Sequence, residues 1–336
     1  MLIPRYWSRA ESTATTPAGK FVRFHVWRGS RSSPAEAQAL ADEAVRRVAE
    51  RIRGGAGFPE RYAYGDRPLR EEVVGEFPGA PTADAPDAAI TRNAYGALVL
   101  NAARAFFIDV DVDGSDRPQA SSASAGSSAS AGLPTDPIAA ARELVDALPL
   151  PGGVKSLLGG FFGSKPARPA APASPPPPPP APADPASAAL DRLRRWVASH
   201  PEWRVRVYRT HSGLRYLVTH ALFTPTDPEA QAAMAALGAD AQYIRLCQVQ
   251  KSFRARLTPK PWRIGIENPP VPFPYEDAGA EAAMREWEAR YEAAAQGRAT
   301  CRFMEEMGGG TEHPQVTALR NLQDERTRAT SGLPLA

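Results

Sequence analysis

The stretch ARAFFIDVDVDGSD, residues 103–116, runs from an apolar segment straight into three aspartates at every second position. The apolar half is typical of a buried β-strand, and Asp109, Asp111 and Asp113 follow it. Because side chains alternate sides along a strand, the three carboxylates should project in the same direction. Carboxylates in such a row can share a hard cation, so the stretch predicts a Mg²⁺ or Mn²⁺ site formed by these three residues.

The aspartates also fit a calcium loop or a plain polar strand edge. The pattern D-x-D-x-D-G opens a calcium-binding EF-hand loop, but Ala120 stands where that loop requires glutamate. The EF-hand is therefore disfavoured. A half-buried edge strand with one polar face, followed by the turn residues Asp-Gly-Ser-Asp, accounts for the pattern as well as a metal does. The metal site and the polar edge strand both stay open at this point.

Length and composition describe a globular chain. Its 336 residues are 43% apolar, which is enough for one large domain or two ordinary ones. The net charge of +3 is small, so any polyanion partner must be argued from local charge. Cys247 and Cys301 lack zinc-site spacing, and two cysteines do not make a disulfide framework. We therefore expect free thiols and a reducing compartment. The N-terminus lacks the apolar core of a signal peptide, and no long apolar run appears, so we expect a cytoplasmic protein without a transmembrane segment.

Residues 114–185 form a low-complexity insert rich in Ala, Ser, Gly and Pro. It includes ASSASAGSSASAG (120–132) and SPPPPPPAPADP (174–185). Such segments bury too little apolar surface to offset the entropy of ordering, so the insert should be a disordered spacer, stiffer where proline dominates. A short helix is expected near 136–148. The segment 136–163 either docks on the parent domain or stays a disordered apolar patch, or it recruits a protein partner or touches a membrane surface.

The flanks of the insert are predicted to be two halves of one domain, 1–113 and 186–310, followed by a C-terminal tail at 311–336. The expected strands are 19–29, 95–102 and 104–112 in the first half and 203–210 and 214–223 in the second. The expected helices are 34–53, 186–200, 228–237 and 278–306, with 243–257 also helical. A tight connection suggests that 95–102 and 104–112 form a hairpin. This order predicts an α+β fold, RRM or ferredoxin-like, with helices packed on an antiparallel sheet.

Two runs without acidic residues follow the insert, from Trp203 to Thr226 and from Ala241 to Ile266. Arginines next to aromatic rings suit phosphates and stacked bases, and a Ser-Gly turn between strands can expose its backbone to a phosphate. We therefore predict that the phosphate-binding residues are Arg209, His211, Ser212, Arg215, Arg254 and Arg256. The alternative is that these side chains pair with the chain's own acids or with water.

An apolar strand ending in Asp-x-Asp, then a helix, then a basic strand–Ser-Gly–strand hairpin, resembles the catalytic core of archaeo-eukaryotic primase-like proteins. The resemblance covers about residues 95–112 and 186–245. It implies a primase-like fold in which Asp109 and Asp111 are catalytic and bind the divalent metal.

The hairpin departs from the pattern of that family. There, a Ser-x-His element contacts the nucleotide phosphate. Here Leu214 occupies the place of that histidine, and His211 precedes Ser212 instead. A degenerate member that keeps the fold but has lost catalysis is consistent with this departure.

Two functions from different classes follow from these patterns. The first is divalent-metal-dependent nucleotidyl or phosphoryl transfer, or binding, with a nucleic acid or nucleotide as partner. The second is a non-catalytic binding or scaffold protein whose proline-rich insert recruits a protein partner.

Overall fold

The computed structural model describes residues 1–56, 70–77, 88–112 and 185–336. The predictions for Asp113 and for the insert, including the helix near 136–148, fall outside these residues, apart from Pro185. The described parts of 1–117 and 183–336 belong to one compact unit.

The described chain alternates strands with helices. The strands are β1 (Tyr6–Thr15), β2 (Phe21–Ser30), β3 (Glu72–Phe77), β4 (Ala88–Arg92), β5 (Leu98–Ala102), β6 (Phe106–Asp111), β7 (Val205–Thr210), β8 (Gly213–Val218), β9 (Phe253–Arg256) and β10 (Cys301–Met307). The helices are α1 (Pro34–Arg53), α2 (Pro185–Ser199), α3 (Pro228–Leu237), α4 (Ala241–Gln250), α5 (Ala278–Ala295) and α6 (Pro314–Thr327), with a 3₁₀ turn at Pro261–Ile264. None of the helices in these ranges has the length and apolar character needed to cross a bilayer.

All the sheets in the described part are antiparallel, which confirms the α+β class. One four-stranded sheet has the order β10-β7-β8-β6, and a second has the order β3-β4-β5-β9. Strands β1 and β2 form a separate two-stranded ribbon. The main core gathers apolar side chains of both four-stranded sheets and of α2, α3 and α6, among them Phe106, Phe107, Leu193, Trp203, Met234 and Val316.

Helix α1 begins where the sequence predicts it. The Ser33 hydroxyl accepts a hydrogen bond from the Glu36 backbone N–H (3.1 Å), and Pro34 occupies the first turn. The apolar stripe of α1 then packs on one face of the β1–β2 ribbon, through Ala10, Phe24, Val26, Ala41 and Val45. A helix is needed here because an isolated two-stranded ribbon is only marginally stable in water.

The predicted hairpin of 95–102 with 104–112 is wrong. Strand β5 pairs with β4 and β9, whereas β6 pairs with β8 in the other sheet. The short connection between β5 and β6 therefore carries the chain from one sheet to the next. Both strands are almost wholly buried, and a buried apolar run shows that a strand is present without showing which strand pairs with it.

Two helix predictions extend too far. Helix α5 ends at Ala295, and the remainder of the predicted 278–306 helix contains most of β10, which pairs with β7. Likewise α4 ends at Gln250, after which Lys251 adopts a left-handed conformation (φ 49°) and the chain enters β9. Met and Glu in β10 favour helices locally, so tertiary pairing outweighs propensity there.

The segment 311–336, predicted only as a tail, contains α6. Its Val316 is fully buried and Leu319 largely so, and both belong to the main core. The helix also supplies Asp324, which bonds Arg206 and Tyr208 of β7 (2.7 and 2.6 Å). The C-terminal residues therefore help to hold the β10-β7-β8-β6 sheet.

Candidate phosphate-binding site

The turn end of the β7–β8 hairpin lies against the end of β6. Gly213 begins β8 directly opposite Asp111. A Cβ at this position would lie 2.0 Å from the Val110 carbonyl oxygen, so only glycine permits the two strands to approach this closely. The Ser-Gly turn expected from the sequence and the Asp-x-Asp strand are thereby brought side by side.

Asp109 and Arg215 form a bidentate ion pair across β6 and β8. The Arg215 Nε and Nη2 donate to the two Asp109 carboxylate oxygens at 2.7 and 3.0 Å. The arginine side chain is 1% exposed and the aspartate side chain 34%. Burial alone would lower the pKa of Arg215, but the Asp109 charge outweighs burial and holds it above its ordinary value. Both predicted residues are therefore together, and each neutralises the charge of the other.

The same guanidinium also joins the two four-stranded sheets. Arg215 Nη1 donates to the Arg256 carbonyl of β9 at 2.8 Å. Beside it, the Tyr243 hydroxyl of α4 donates to the Phe107 carbonyl of β6 (2.8 Å) and lies 3.1 Å from the Arg254 carbonyl of β9. The edge strands β6 and β9 are thus bridged by side chains rather than by a backbone ladder.

Arg256 extends from this junction. Its Nη1 is buried and has no hydrogen-bond partner among the residues that the structure describes. Burial lowers the pKa of Arg256, and the positive charges of Arg215 and Arg263 lower it further, opposed by Tyr95 and Asp109. A guanidinium stays protonated at neutral pH. Arg256 is therefore a buried cation, and its Nη1 has no hydrogen-bond acceptor in the described part of the chain.

Arg263 approaches the same place from the 3₁₀ turn. Its Nη2 donates to the Ser212 hydroxyl at 2.8 Å, and Ser212 is 3% exposed. Arg263 therefore ties the 3₁₀ turn to the hairpin turn, and its charge is sensed at Arg256. The Ser212 hydroxyl is held as an acceptor by this contact, which leaves its own proton to point elsewhere.

Arg254, which was predicted to bind phosphate, lies in a buried environment with a carboxylate partner. It donates to both carboxylate oxygens of Glu71 (2.8 and 3.0 Å) and to the Asn101 side-chain oxygen (2.6 Å). The Asn101 amide in turn donates to the Thr91 hydroxyl at 2.9 Å. These groups are all buried within the β3-β4-β5-β9 sheet. The charge of Arg254 is thus neutralised by Glu71 of the same chain. A phosphate would have to displace Glu71 in order to bind Arg254.

The remaining predicted residues surround the hairpin end. Arg209 is half-buried near the end of β7, His211 is exposed in the turn, and Asp111 is exposed at the end of β6. Within the described ranges, no group of three or more His, Cys, Asp or Glu side chains is arranged to hold a metal ion. The metal-ligand role of Asp109 and Asp111 remains a prediction.

No family model, curated protein or solved structure matches this chain. The resemblance to primase-like proteins accordingly rests on the motifs alone, and the site must be interpreted from its own geometry.

Several residues of this site were not among the binding residues predicted from the sequence. Arg263, Lys260 and Trp262 belong to the second acid-free run, so that run already contained the signal for them. Tyr95, which contacts the Trp262 ring (centroids 5.4 Å apart), comes from the turn between β4 and β5 and carried no such signal.

Proposed function

We propose that this chain binds the phosphate groups of a nucleic acid or nucleotide at the turn end of the β7–β8 hairpin. The observation that carries the proposal is the buried Arg256 Nη1, which lacks a partner in the described part of the chain and lies under the like charge of Arg215 and Arg263. An anion here would supply the missing acceptor and relieve the repulsion.

The surroundings of Arg256 support an anionic ligand. Arg263 adds a second guanidinium, and Ser212 adds a hydroxyl. The two acid-free runs contain no Asp or Glu that could pair with these arginines from a neighbouring position in the sequence. Asp109 is nearby, but its charge is already balanced by Arg215. We extend the proposal to a primase-like or RRM-like arrangement of the sheet, in which hairpin and Asp-x-Asp strand share one end.

Replacing Arg256 with glutamine should weaken binding of a labelled DNA of about 15 nucleotides roughly tenfold, because one charge-assisted phosphate contact is lost. The slope of log K against log salt should fall by about 1. Fluorescence anisotropy at several salt concentrations measures both quantities.

The matched control for this prediction is Arg46→Gln, which removes an exposed arginine on α1. It lowers the net charge equally, so a purely non-specific attraction would respond to both variants alike. Equal losses in the two variants would refute a localised site, and a wild-type protein that binds no DNA or nucleotide would refute the proposed function.

A second candidate function is divalent-metal-dependent nucleotidyl or phosphoryl transfer through Asp109 and Asp111. Its support is the exposed Asp111, which ends β6 opposite Gly213 of the Ser-Gly turn. A metal at Asp109 would compete with Arg215 for both carboxylate oxygens. Under the alternative scaffold function, the insert would recruit a protein partner and these side chains would be structural.

Under the catalytic candidate, Asp111→Asn should weaken Mn²⁺ binding at least about tenfold, since one negative ligand is removed from a hard cation. Isothermal titration calorimetry with Mn²⁺ measures this, and Glu43→Gln on α1 serves as a charge-matched control. Absence of a saturable Mn²⁺ signal in the wild-type protein would exclude this candidate and leave phosphate binding intact.

A further inference from the structure

Trp262, which precedes Arg263 in the 3₁₀ turn, has an exposed indole ring. Trp262 is 50% exposed, whereas Phe253, another aromatic residue of the second acid-free run, is fully buried. The structure thus distinguishes two aromatic residues that the sequence presents alike. Only Trp262 of this pair has a ring surface that a ligand can reach.

Three features of its surroundings relate Trp262 to the phosphate-binding site. Its neighbour in the 3₁₀ turn, Arg263, donates to Ser212 of the hairpin turn (2.8 Å). Its ring makes a T-shaped contact with the ring of Tyr95, whose hydroxyl raises the pKa of Arg256. Lys260 Nζ lies 5.5 Å from its ring centroid. The indole is therefore positioned by the same short segment that carries the cationic groups.

We infer that this surface binds single-stranded nucleic acid, with an unpaired base stacked on Trp262 and the adjoining phosphate at Arg256 and Arg263. This inference rests on the proposed phosphate-binding function and names its ligand class. Aromatic rings beside cationic groups form the usual platform for single strands, because every base offers a π-face. In a duplex those faces are covered by neighbouring bases, so an exposed indole selects unpaired nucleotides.

The cost of leaving this tryptophan exposed supports the same conclusion. A half-exposed indole keeps apolar surface in water, and its contacts with Tyr95 and Lys260 order it without burying it. Lys260 over the ring also adds a cation where the backbone of a stacked strand would pass. An exposed aromatic ring with Lys260 near it and Arg263 next in the chain fits a base with its phosphate better than an uncharged ligand.

The test compares fluorescently labelled single-stranded oligothymidine with a duplex of equal length, each of about 15 nucleotides per strand, using the full chain. Trp262→Leu should weaken single-strand binding about tenfold and leave duplex binding within about twofold, and Trp262→Phe should retain most of the single-strand affinity. The salt slope should stay unchanged in both variants, because no phosphate contact is removed.

A second readout does not depend on the leucine variant. The difference in tryptophan emission between wild type and Trp262→Phe reports this indole alone, and oligothymidine should quench that difference. Absence of quenching, or equal weakening of single-strand and duplex binding in Trp262→Leu, would overturn the inference.

The same experiment separates the two proposals. If Arg256→Gln weakens binding while Trp262→Leu does not, phosphate binding stands and the stacking inference falls. If the wild-type protein binds neither the single strand nor the duplex, both fall together.

Discussion

Replacing Glu71 with glutamine is expected to lower the free energy of unfolding by about 4 kcal/mol, because it leaves the Arg254 charge buried and uncompensated. The two side chains are 7% and 10% exposed and share two hydrogen bonds of 2.8 and 3.0 Å. The variant keeps the shape of Glu71, so the loss reports charge rather than packing. Urea denaturation followed by circular dichroism measures it as a lower midpoint.

The control for this prediction removes both charges at once. Glu71→Leu combined with Arg254→Met should recover part of the stability, because neither charge is then left alone, whereas the buried Asn101 oxygen loses its donor and the Thr91 hydroxyl its acceptor. The ion pair of Arg47 with Glu43 on α1 is exposed, and such pairs contribute little to stability. Glu43→Gln should therefore leave the urea midpoint unchanged. If Glu71→Gln behaved like that surface variant, Arg254 would have to be accessible to solvent, contrary to the structure.

Replacing Asp109 with asparagine is expected to lower the free energy of unfolding by about 3 kcal/mol, because the buried Arg215 loses its counter-charge. The figure is at the low end for a buried pair, since Asp109 is itself one-third exposed. Arg215 would keep its bond to the Arg256 carbonyl, so the junction between the sheets should persist in weakened form. Urea denaturation again gives the measurement.

Asp111→Asn is the matched control, since it alters the next carboxylate in the same strand at an exposed position. It should lower the free energy of unfolding by no more than about 1 kcal/mol, because interactions of an exposed carboxylate contribute little. A purely catalytic Asp109 would give the reverse signature, with loss of metal-dependent activity and no loss of stability. Equal, small effects on stability from the two variants would therefore contradict the structural role of Asp109.

These two ion pairs separate basic residues that look equivalent in the sequence. Arg215, Arg254 and Arg256 are all predicted there to bind phosphate. Two of them are already neutralised by carboxylates of the chain, and Arg256 alone of the three has an unsatisfied, buried N–H in the described part of the chain. Phosphate binding is therefore proposed for the junction between β9, the 3₁₀ turn and the hairpin turn.

The α+β class and several element boundaries could be predicted from the amino-acid sequence, because their signals are local. Ser33 and Pro34 start α1, and Gly238 ends α3 in a left-handed conformation (φ 81°). In each case the relevant hydrogen bonds join residues within about one helical turn. Such signals can be recognised because they do not depend on the rest of the fold.

Which strands pair, and which carboxylate neutralises which arginine, is decided by the tertiary structure. Asp109 and Arg215 are 106 positions apart, and Glu71 and Arg254 are 183 apart. Strand β5 pairs with β9 rather than with its sequence neighbour β6, and two buried apolar runs look the same whichever strand they pair with. A carboxylate's role as counter-ion or metal ligand depends on which cation the fold brings within about 3 Å, and no local pattern encodes that distance.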